Sequence, residues 1–245
     1  MSRHYELMQR AELYFSEPAA PAAESAARRM REKTAIVEAQ PLDNGCLTLV
    51  QRIFLLEQEN PPHVVVFAGL HEGDGAKRLC AAAGKHLAHI VRRPVCIVEA
   101  NVRSGSPQKH GPFDSYIGLS DALTQEGPVI DFCTPTQNDN LWVLGAGTKA
   151  IPGLLTPETL KIRISELRDA FAFVVIDAPA LDHHAEGVIF AGLADGAILV
   201  LESGSTRRKE SEEIVTGLRS SNIRILAAVL NNFVQPIPKA VRKFV

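Results

Sequence analysis

Aromatic side chains are scarce in this sequence, and neither sign of charge dominates it. Of the 245 residues 6% are aromatic, and the formal net charge at pH 7 is −2. Proteins that bind nucleic acid use basic surfaces for the phosphates or aromatic rings on which bases stack. The composition therefore gives no reason to expect nucleic acid as a partner.

The sequence also has no long apolar segment. It begins MSRHYELMQRAELYF, which has no apolar core of the kind that marks a signal peptide. No later apolar run is long enough to span a bilayer. We therefore predict that the protein stays in the cytoplasm.

The cysteines show no spacing that favours a metal or redox site. None of the four forms a CxxC pair with another: Cys46, Cys80, Cys96 and Cys133. Isolated cysteines in apolar surroundings usually act as small hydrophobic residues. We predict that these are buried and take part in neither a metal site nor a disulfide.

The chain consists of two regions that differ in composition. Residues 1–42 contain the alanine-, proline- and charge-rich stretch EPAAPAAESAARRMREK, which predicts a partly flexible arm or linker. An alternative is that this arm holds a helix that docks on a partner. Residues 43–245 are long enough and apolar enough for one large α/β domain.

Within that domain, apolar strand patterns alternate with helical patterns. This order predicts a doubly wound, mainly parallel sheet with helices on both faces, a three-layer Rossmann-like arrangement of the P-loop NTPase type. The predicted strands are His63–Phe67, Pro94–Glu99, Leu141–Leu144, Phe173–Ile176, Ala197–Leu201 and Ile223–Leu230. The predicted helices are Cys46–Leu56, Ala76–Val91, Leu119–Leu123, Pro157–Ala170, Ala185–Leu193 and Thr206–Ser220.

The stretch Val64–Arg78 has the outline of a phosphate-binding loop. A strand runs into a glycine-rich turn and then into a helix, an order that directs backbone N–H groups at a phosphate. We predict nucleotide contacts, if any, from Gly73, Asp74, Gly75, Ala76, Lys77, Arg78 and Asn231. A working loop reads G-x-x-x-x-G-K-[S/T], with the hydroxyl on magnesium. Here Ala76 follows Gly75, and Lys77 and Arg78 follow where Ser or Thr is expected, so no metal site is predicted.

Other polar residues stand where the predicted strands end. Asp177 ends one strand, Glu99 and Asn101 end a second, and Asn231 closes the last. Parallel sheets bind ligands at this edge. Two roles fit Asp177: a carboxylate that supports a magnesium ion or orients the attacking water, or the cap of a helix or turn. Glu99 is consistent with a ligand-binding site or with the polar end of a strand. Asn231 is consistent with a hydrogen bond to the edge of a nucleotide base or with a turn.

One further polar cluster, Asp182 with His183 and His184, has a possible metal or acid–base character. A zinc site needs three or four ligands at suitable spacing, and no third ligand is spaced to help here. We predict a solvated polar loop.

Several of these segments, in order and spacing, resemble the bacterial tyrosine kinases of capsule and exopolysaccharide synthesis. These kinases belong to a deviant P-loop ATPase group that includes the division-site and partition ATPases. The resemblance covers about Cys46 to Pro238. It rests on the glycine loop with GDG, EANVRS, GLSDAL, NLWVLGAG, VVIDAPA, LADGAILVLESGSTRR and VLNNF.

The chain departs from that family where the chemistry would be. A gapless match puts Ala76 at the family's lysine, and Glu99 and Asn101 at its two aspartates. Glu186 stands at a further acidic position, and Asp177 is retained. These losses remove most of the charge stabilisation of phosphoryl transfer. The resemblance therefore implies a degenerate member with negligible catalysis, in which Asp177, Glu99 and Glu186 are vestigial.

Two other family features are missing. The active members end in a tyrosine-rich tail, whereas this chain has only Tyr5, Tyr14 and Tyr116. The ring-forming helix of the family matches a segment that holds Asn44, Leu47 and Val50 instead. The resemblance thus implies a monomer or small homo-oligomer rather than a ring.

The function implied by the resemblance is a pseudokinase-like scaffold or regulator of polysaccharide synthesis and export. Its expected partner is the cytoplasmic part of a membrane copolymerase of the chain-length-determinant type, at the inner face of the inner membrane. No cofactor is certain; ATP or ADP is expected to bind weakly at most, without magnesium. Two alternatives stay open: an active ATP-dependent tyrosine kinase or ATPase that uses Lys77, and a partition-type positioning ATPase.

Overall fold

The computed structural model describes most of the predicted domain. The predicted arm, the three tyrosines, His183 and His184 lie outside the described residues, so the predictions about them stay predictions. The described residues are 44–56, 60–101, 117–138, 140–147, 156–182 and 185–232.

A seven-stranded sheet forms the centre of the described part of the chain. Its order is β3-β4-β2-β5-β1-β6-β7, and every pairing is parallel except that of β3 with β4. This confirms the predicted doubly wound, mainly parallel sheet. The strands are β1 Val64–Gly69, β2 Val95–Glu99, β3 Thr134–Pro135, β4 Leu141–Leu144, β5 Phe173–Asp177, β6 Gly196–Glu202 and β7 Ile225–Asn231.

Helices cover both faces of this sheet. The first continues through a π-helical turn at Gln51–Leu55, and a 3-10 turn spans Val129–Phe132. The α-helices are α1 Asn44–Val50, α2 Ala76–Val91, α3 Leu119–Thr124, α4 Pro157–Ala170, α5 Ala185–Leu193 and α6 Arg208–Ser220. The apolar cores beneath them separate into two clusters, with α1 and α2 on one face and α3 to α6 on the other.

The central strand β1 shows why this sequence forms a sheet covered on both sides. All six of its residues are buried. Val65 and Phe67 pack in the cluster with α1 and α2, while Val64 and Val66 pack in the cluster with the other helices. Side chains alternate between the two faces of a strand, so a continuous apolar run is needed when both faces are covered.

An ion pair fixes β1 at the end of the sheet away from the glycine loop. The Oδ2 atom of Asp195 accepts hydrogen bonds from the N–H groups of His63 and Val64, at 2.7 and 2.8 Å. Arg168 of α4 donates to both oxygens of Asp195, at 2.9 and 2.8 Å. The aspartate of the LADG segment therefore joins α4 to the start of β1.

Three local features differ from the sequence-based predictions. The short edge strand β3 and the 3-10 turn were not predicted, because segments of two and four residues are too short to show a periodicity. Helix α6 begins at Arg208 rather than Thr206. Thr206 is instead part of the preceding turn, where its Oγ1 atom accepts a hydrogen bond from the Glu202 N–H at 3.0 Å.

Two predictions from composition can be compared with the described residues. All four cysteines are buried, which confirms their assignment as small core residues. Among the helices that the structure describes, none combines the length and apolar character needed to cross a membrane.

Candidate functional site

The glycine loop follows β1 at the carboxyl edge of the sheet. Gly73 and Gly75 have φ angles of 93° and 88°, in the left-handed region that glycine adopts without a steric penalty. Gly75 is the N-cap of α2, and the first bond inside the helix runs from the Leu79 N–H to the Gly75 carbonyl at 3.1 Å. The N–H groups of Ala76, Lys77 and Arg78 therefore have no acceptor within the helix.

Asp74 and Asn231 hold this loop in shape. Asp74 is buried, and its Oδ2 atom accepts a hydrogen bond from the His71 N–H at 2.9 Å. The Asn231 Nδ2 group, at the end of β7, donates to the Asp74 carbonyl at 3.0 Å. Both were predicted as candidate nucleotide contacts, and the structure gives each a role in fixing the loop backbone.

The three residues at the start of α2 lie in different surroundings. Ala76 is buried at the first helical position, directly after the N-cap Gly75. Arg78 is exposed. Lys77 is half-buried, and its Nζ atom lies 3.2 Å from Glu99 Oε1 at the end of β2. The ammonium group therefore pairs with one of the carboxylates predicted to be vestigial.

Asp177 lies beside this ion pair. Strands β2 and β5 are in parallel register, with Glu99 opposite Asp177. Two residues earlier, Ile97 and Val175 pack in the cluster under α2, so Glu99 and Asp177 point to the same face. The structure thus brings Lys77, Glu99 and Asp177 together under the first turn of α2.

Burial controls the charge state of Asp177. It raises the pKa of this carboxyl from the ordinary 3.8 to about 7, although Lys77 lowers the value and Glu99 raises it further. Desolvation disfavours a charged carboxylate, and a neighbouring carboxylate adds to that cost. Near neutral pH, Asp177 is therefore balanced between its protonated and charged forms.

A second set of polar contacts connects the loop to two neighbouring segments. The Nδ1 atom of His71 lies 2.8 Å from Asp182 Oδ2, beyond the end of β5, and its Nε2 atom lies 3.3 Å from Glu210 Oε2 on α6. The hydrogen bond to Asp182 is the largest influence on the pKa of His71 and raises it; Glu210 and Asp74 also raise it, and partial burial opposes them. His71 therefore links three separate segments around the loop.

This contact predicts a pH-dependent loss of stability on His71→Asn. Because the folded pKa of His71 is raised, its stabilising charge interactions are complete below the unfolded value of 6.5 and are lost as pH rises through the folded value. We expect the substitution to cost about 1 kcal/mol at acidic pH and less at alkaline pH, since partly exposed ion pairs are weak. Urea unfolding at both pH values measures this difference, and Glu210→Gln should reproduce part of it. An unchanged cost at the two pH values would contradict the prediction.

The residues present do not fit a magnesium ion. Magnesium binding in a working loop needs a hydroxyl at the second helical position and free carboxylates nearby. Here residues 64–78 contain neither serine nor threonine. The Lys77 ammonium instead lies against Glu99. In the part of the chain that the structure describes, no cluster of three or more potential metal-binding His, Cys, Asp or Glu residues is present.

Two predicted residues remain, Glu186 and Asn101. Glu186 is buried in the first turn of α5, and Asn101 is exposed two residues after the end of β2. The sequence analysis missed His71 as a partner of Asp182 and Glu210. The signal was weak, because these three residues are distant in sequence and only the folded loop brings them together.

Comparisons with known proteins agree with this fold. No protein-family model matches the chain. The chimerical protein CapA2B2 has a TM-score of 0.71 at 19% identity, over 80% of this chain and 87% of its own. The kinase domain of the Escherichia coli tyrosine kinase ETK has a TM-score of 0.64 at 16% identity, over 72% and 70%. MinD of Pyrococcus horikoshii, solved with Mg-ADP, has a TM-score of 0.58 at 20% identity, over 74% and 76%. The fold is thus that of P-loop NTPase-like kinase domains and MinD.

Sequence relatives make the resemblance more specific. The tyrosine-protein kinase YwqD of Bacillus subtilis is 26% identical over 145 residues, which are 57% of this chain and 60% of YwqD. The tyrosine-protein kinase CpsD of Streptococcus agalactiae is 24% identical over 174 residues, 69% of this chain and 73% of CpsD. The predicted resemblance to bacterial tyrosine kinases is therefore confirmed. The chain spans about 60% of the length of YwqD.

Proposed function

We propose that this protein is a catalytically impaired, pseudokinase-like relative of the bacterial tyrosine kinases. One observation carries the proposal: Lys77 stands where a working loop has the hydroxyl that binds the metal ion, and its ammonium group lies 3.2 Å from Glu99. Phosphoryl transfer depends on a metal ion and a lysine that stabilise the charge on the phosphates. Here Ala76 stands at the position of that lysine, and Lys77 stands at the position of the hydroxyl that would bind the metal ion.

The magnitude of these losses favours a role other than catalysis. Removing one preorganised group that stabilises a transition state typically costs about 10²- to 10³-fold in rate. This chain lacks the usual lysine, the hydroxyl and one of the two carboxylates at the end of β2, since Asn101 replaces the second aspartate. Their combined loss brings phosphoryl transfer below useful rates, while the buried sheet and its helices remain intact.

The cellular role in this proposal is that of a scaffold or regulator in exopolysaccharide or capsule synthesis and export. The protein would act in the cytoplasm, at the inner face of the inner membrane, by binding the cytoplasmic part of a polysaccharide copolymerase. The relation to YwqD and CpsD and the structural likeness to CapA2B2 support this assignment. ATP or ADP would bind weakly if at all, and the protein would be a monomer or small homo-oligomer.

The alternative of an active kinase that uses Lys77 needs that ammonium group at the terminal phosphates. In the structure Lys77 is instead paired with Glu99, and Ala76 takes the first helical position, where a working loop has its lysine. The partition-type alternative is supported by the fold of MinD. Its usual signature lysine early in the loop is absent, because Leu70, His71 and Glu72 precede the glycines.

Catalysis can be tested with purified protein, Mg-ATP and a phosphotyrosine readout. The ETK kinase domain, assayed in parallel, serves as the active control. We expect phosphotyrosine and ATP consumption to stay at the level of a no-enzyme blank, with or without magnesium. Magnesium-dependent phosphorylation of tyrosine would overturn the proposed loss of activity, and an ATP-induced dimer in gel filtration would favour the partition-type alternative.

The scaffold role needs a separate measurement. The purified chain and the cytoplasmic segment of a copolymerase from the same organism can be titrated by calorimetry. We expect saturable binding that is unaffected by ATP or magnesium, since the site is not expected to switch with nucleotide. Binding that appears only with Mg-ATP would contradict a nucleotide-independent scaffold.

A further inference from the structure

A single glycine lets α2 approach the two strands that carry the carboxylates. A Cβ atom at Gly84 would lie 2.6 Å from Ile97 Cγ1 and 3.2 Å from Val175 Cγ2. Such distances are too short for ordinary packing, so the helix at this point needs a residue without a side chain. The close approach places the first turn of α2 directly over the carboxyl ends of β2 and β5.

The position of Lys77 on that turn matches the position of a metal ligand. In the motif of a working loop, the residue two places after the last glycine supplies a hydroxyl to the metal ion. Two places after Gly75 is Lys77. Its Nζ atom lies 3.2 Å from Glu99 Oε1, and its positive charge favours the charged form of the adjacent Asp177 carboxyl.

We propose that the Lys77 ammonium is a resident cation that takes the place of a divalent metal ion between the loop and these carboxylates. This inference rests on the proposed function, which treats the site as an altered kinase centre. A divalent ion at Glu99 would have to displace an ammonium group that is covalently attached to α2. Like charges repel, and the ammonium keeps Mg²⁺ and Mn²⁺ away from both carboxylates.

Lys77 also compensates the negative charge of Glu99 and Asp177. Two carboxylates side by side in a partly buried site destabilise each other's charged forms. The side chain of Glu99 is 16% exposed, and that of Lys77 is 37% exposed. An ammonium group in this place supplies the compensating charge without an ion from solution.

The inference predicts that Lys77→Ser creates a divalent-cation site. The substitution removes the ammonium, leaves Glu99 and Asp177 as oxygen ligands and adds the hydroxyl found in working loops. We expect Mn²⁺ to bind at least about tenfold more tightly to this variant than to the wild-type protein, a change typical of altered metal surroundings. Electron paramagnetic resonance of free Mn²⁺ during a titration at pH 8 measures the affinity.

Matched variants decide between this site and nonspecific binding. Lys85→Ser removes a lysine from an exposed position of the same helix and should leave Mn²⁺ affinity at the wild-type value. Lys77→Ser combined with Glu99→Gln should lose the gain. No gain in a folded Lys77→Ser variant, or an equal gain in Lys85→Ser, would overturn the inference.

The wild-type protein provides a test that does not need Lys77→Ser. We expect the wild-type protein to bind no Mn²⁺ at Glu99, so a folded Glu99→Gln variant should have the same Mn²⁺ affinity. Wild-type Mn²⁺ binding that Glu99→Gln abolishes would refute the resident cation even if the phosphotyrosine assay showed no activity. Conversely, tyrosine phosphorylation without bound metal would refute the proposed function and leave the resident cation standing, so the two failures are distinguishable.

Discussion

Replacing Asp177 with asparagine is expected to stabilise the protein at pH 8 by roughly 2 to 4 kcal/mol. Burial raises the pKa of Asp177 from 3.8 to about 7, so the native state holds a proton that the unfolded state releases. Unfolding therefore becomes more favourable as pH rises from about 4 to 7, at a slope near 1.4 kcal/mol per pH unit. Asparagine has nearly the same shape and no charge, and it removes this cost.

The stability gained from Asp177→Asn should depend strongly on pH. At pH 4, Asp177 is protonated in the native state and the advantage of Asp177→Asn should shrink to nearly zero. Above about pH 7 the advantage should be complete and constant, because the carboxyl is charged in both states. Urea unfolding with linear extrapolation at several pH values measures the difference. A stability gain that is equal at pH 4 and pH 8 would contradict the account.

Asp195 offers a matched control of opposite sign. Although burial raises its pKa, hydrogen bonds from Arg168 and from the N–H groups of Val64 and His63 lower it below the usual value. Its charged form is therefore stabilising above the unfolded pKa, and this contribution is lost as pH falls through the folded value. We expect Asp195→Asn to destabilise the protein at neutral pH. The same chemical change should thus have opposite effects at the two ends of the sheet.

The second large effect is expected from Gly75→Ala, a loss of stability of about 2 to 3 kcal/mol. The φ angle of Gly75 is 88°, where a residue with a Cβ atom is strained by about 1 to 2 kcal/mol. An added Cβ atom would also overlap the Nδ2 atom of Asn231. Moving that amide breaks its hydrogen bond to the Asp74 carbonyl, worth about 1 kcal/mol.

Gly73 separates these two contributions. Its φ angle is 93°, similar to that of Gly75, and an added Cβ atom would meet nothing within 4 Å. Gly73→Ala should therefore show the backbone strain alone. Combining Gly75→Ala with Asn231→Ala should cost less than the sum of the single changes, because both remove the same bond. Equal losses in the two glycine variants, measured by urea unfolding, would contradict the proposed role of Asn231.

The sheet could be predicted from the sequence because its strands are continuous apolar runs. Residues 64–69 and 174–176 are buried on both faces, and strand segments of this kind need to be apolar throughout. The glycine loop could be predicted for a related reason: its positive φ angles require glycine, and glycine is visible in a sequence. β3, with two residues, carries no such pattern.

The contacts of the site could be predicted only in part. The sequence shows that Lys77 stands one place later than the lysine of a working loop, and that Glu99 and Asp177 end their strands. It does not show that β2 and β5 are neighbours in register, which depends on the order of strands in the sheet. The pairing of Lys77 with Glu99 and the contacts of His71 follow from that tertiary arrangement.

Lys77 is proposed to fill the position of the metal ion beside Glu99 and Asp177. The most direct measurement is a crystal structure of the protein soaked with Mn²⁺ and a nonhydrolysable ATP analogue, with anomalous data collected for manganese. We expect no anomalous peak between Glu99 and Asp177, and we expect the Lys77 ammonium to lie within hydrogen-bonding distance of Glu99. A manganese ion bound to both carboxylates, with Lys77 turned toward the outermost phosphate, would contradict this proposal.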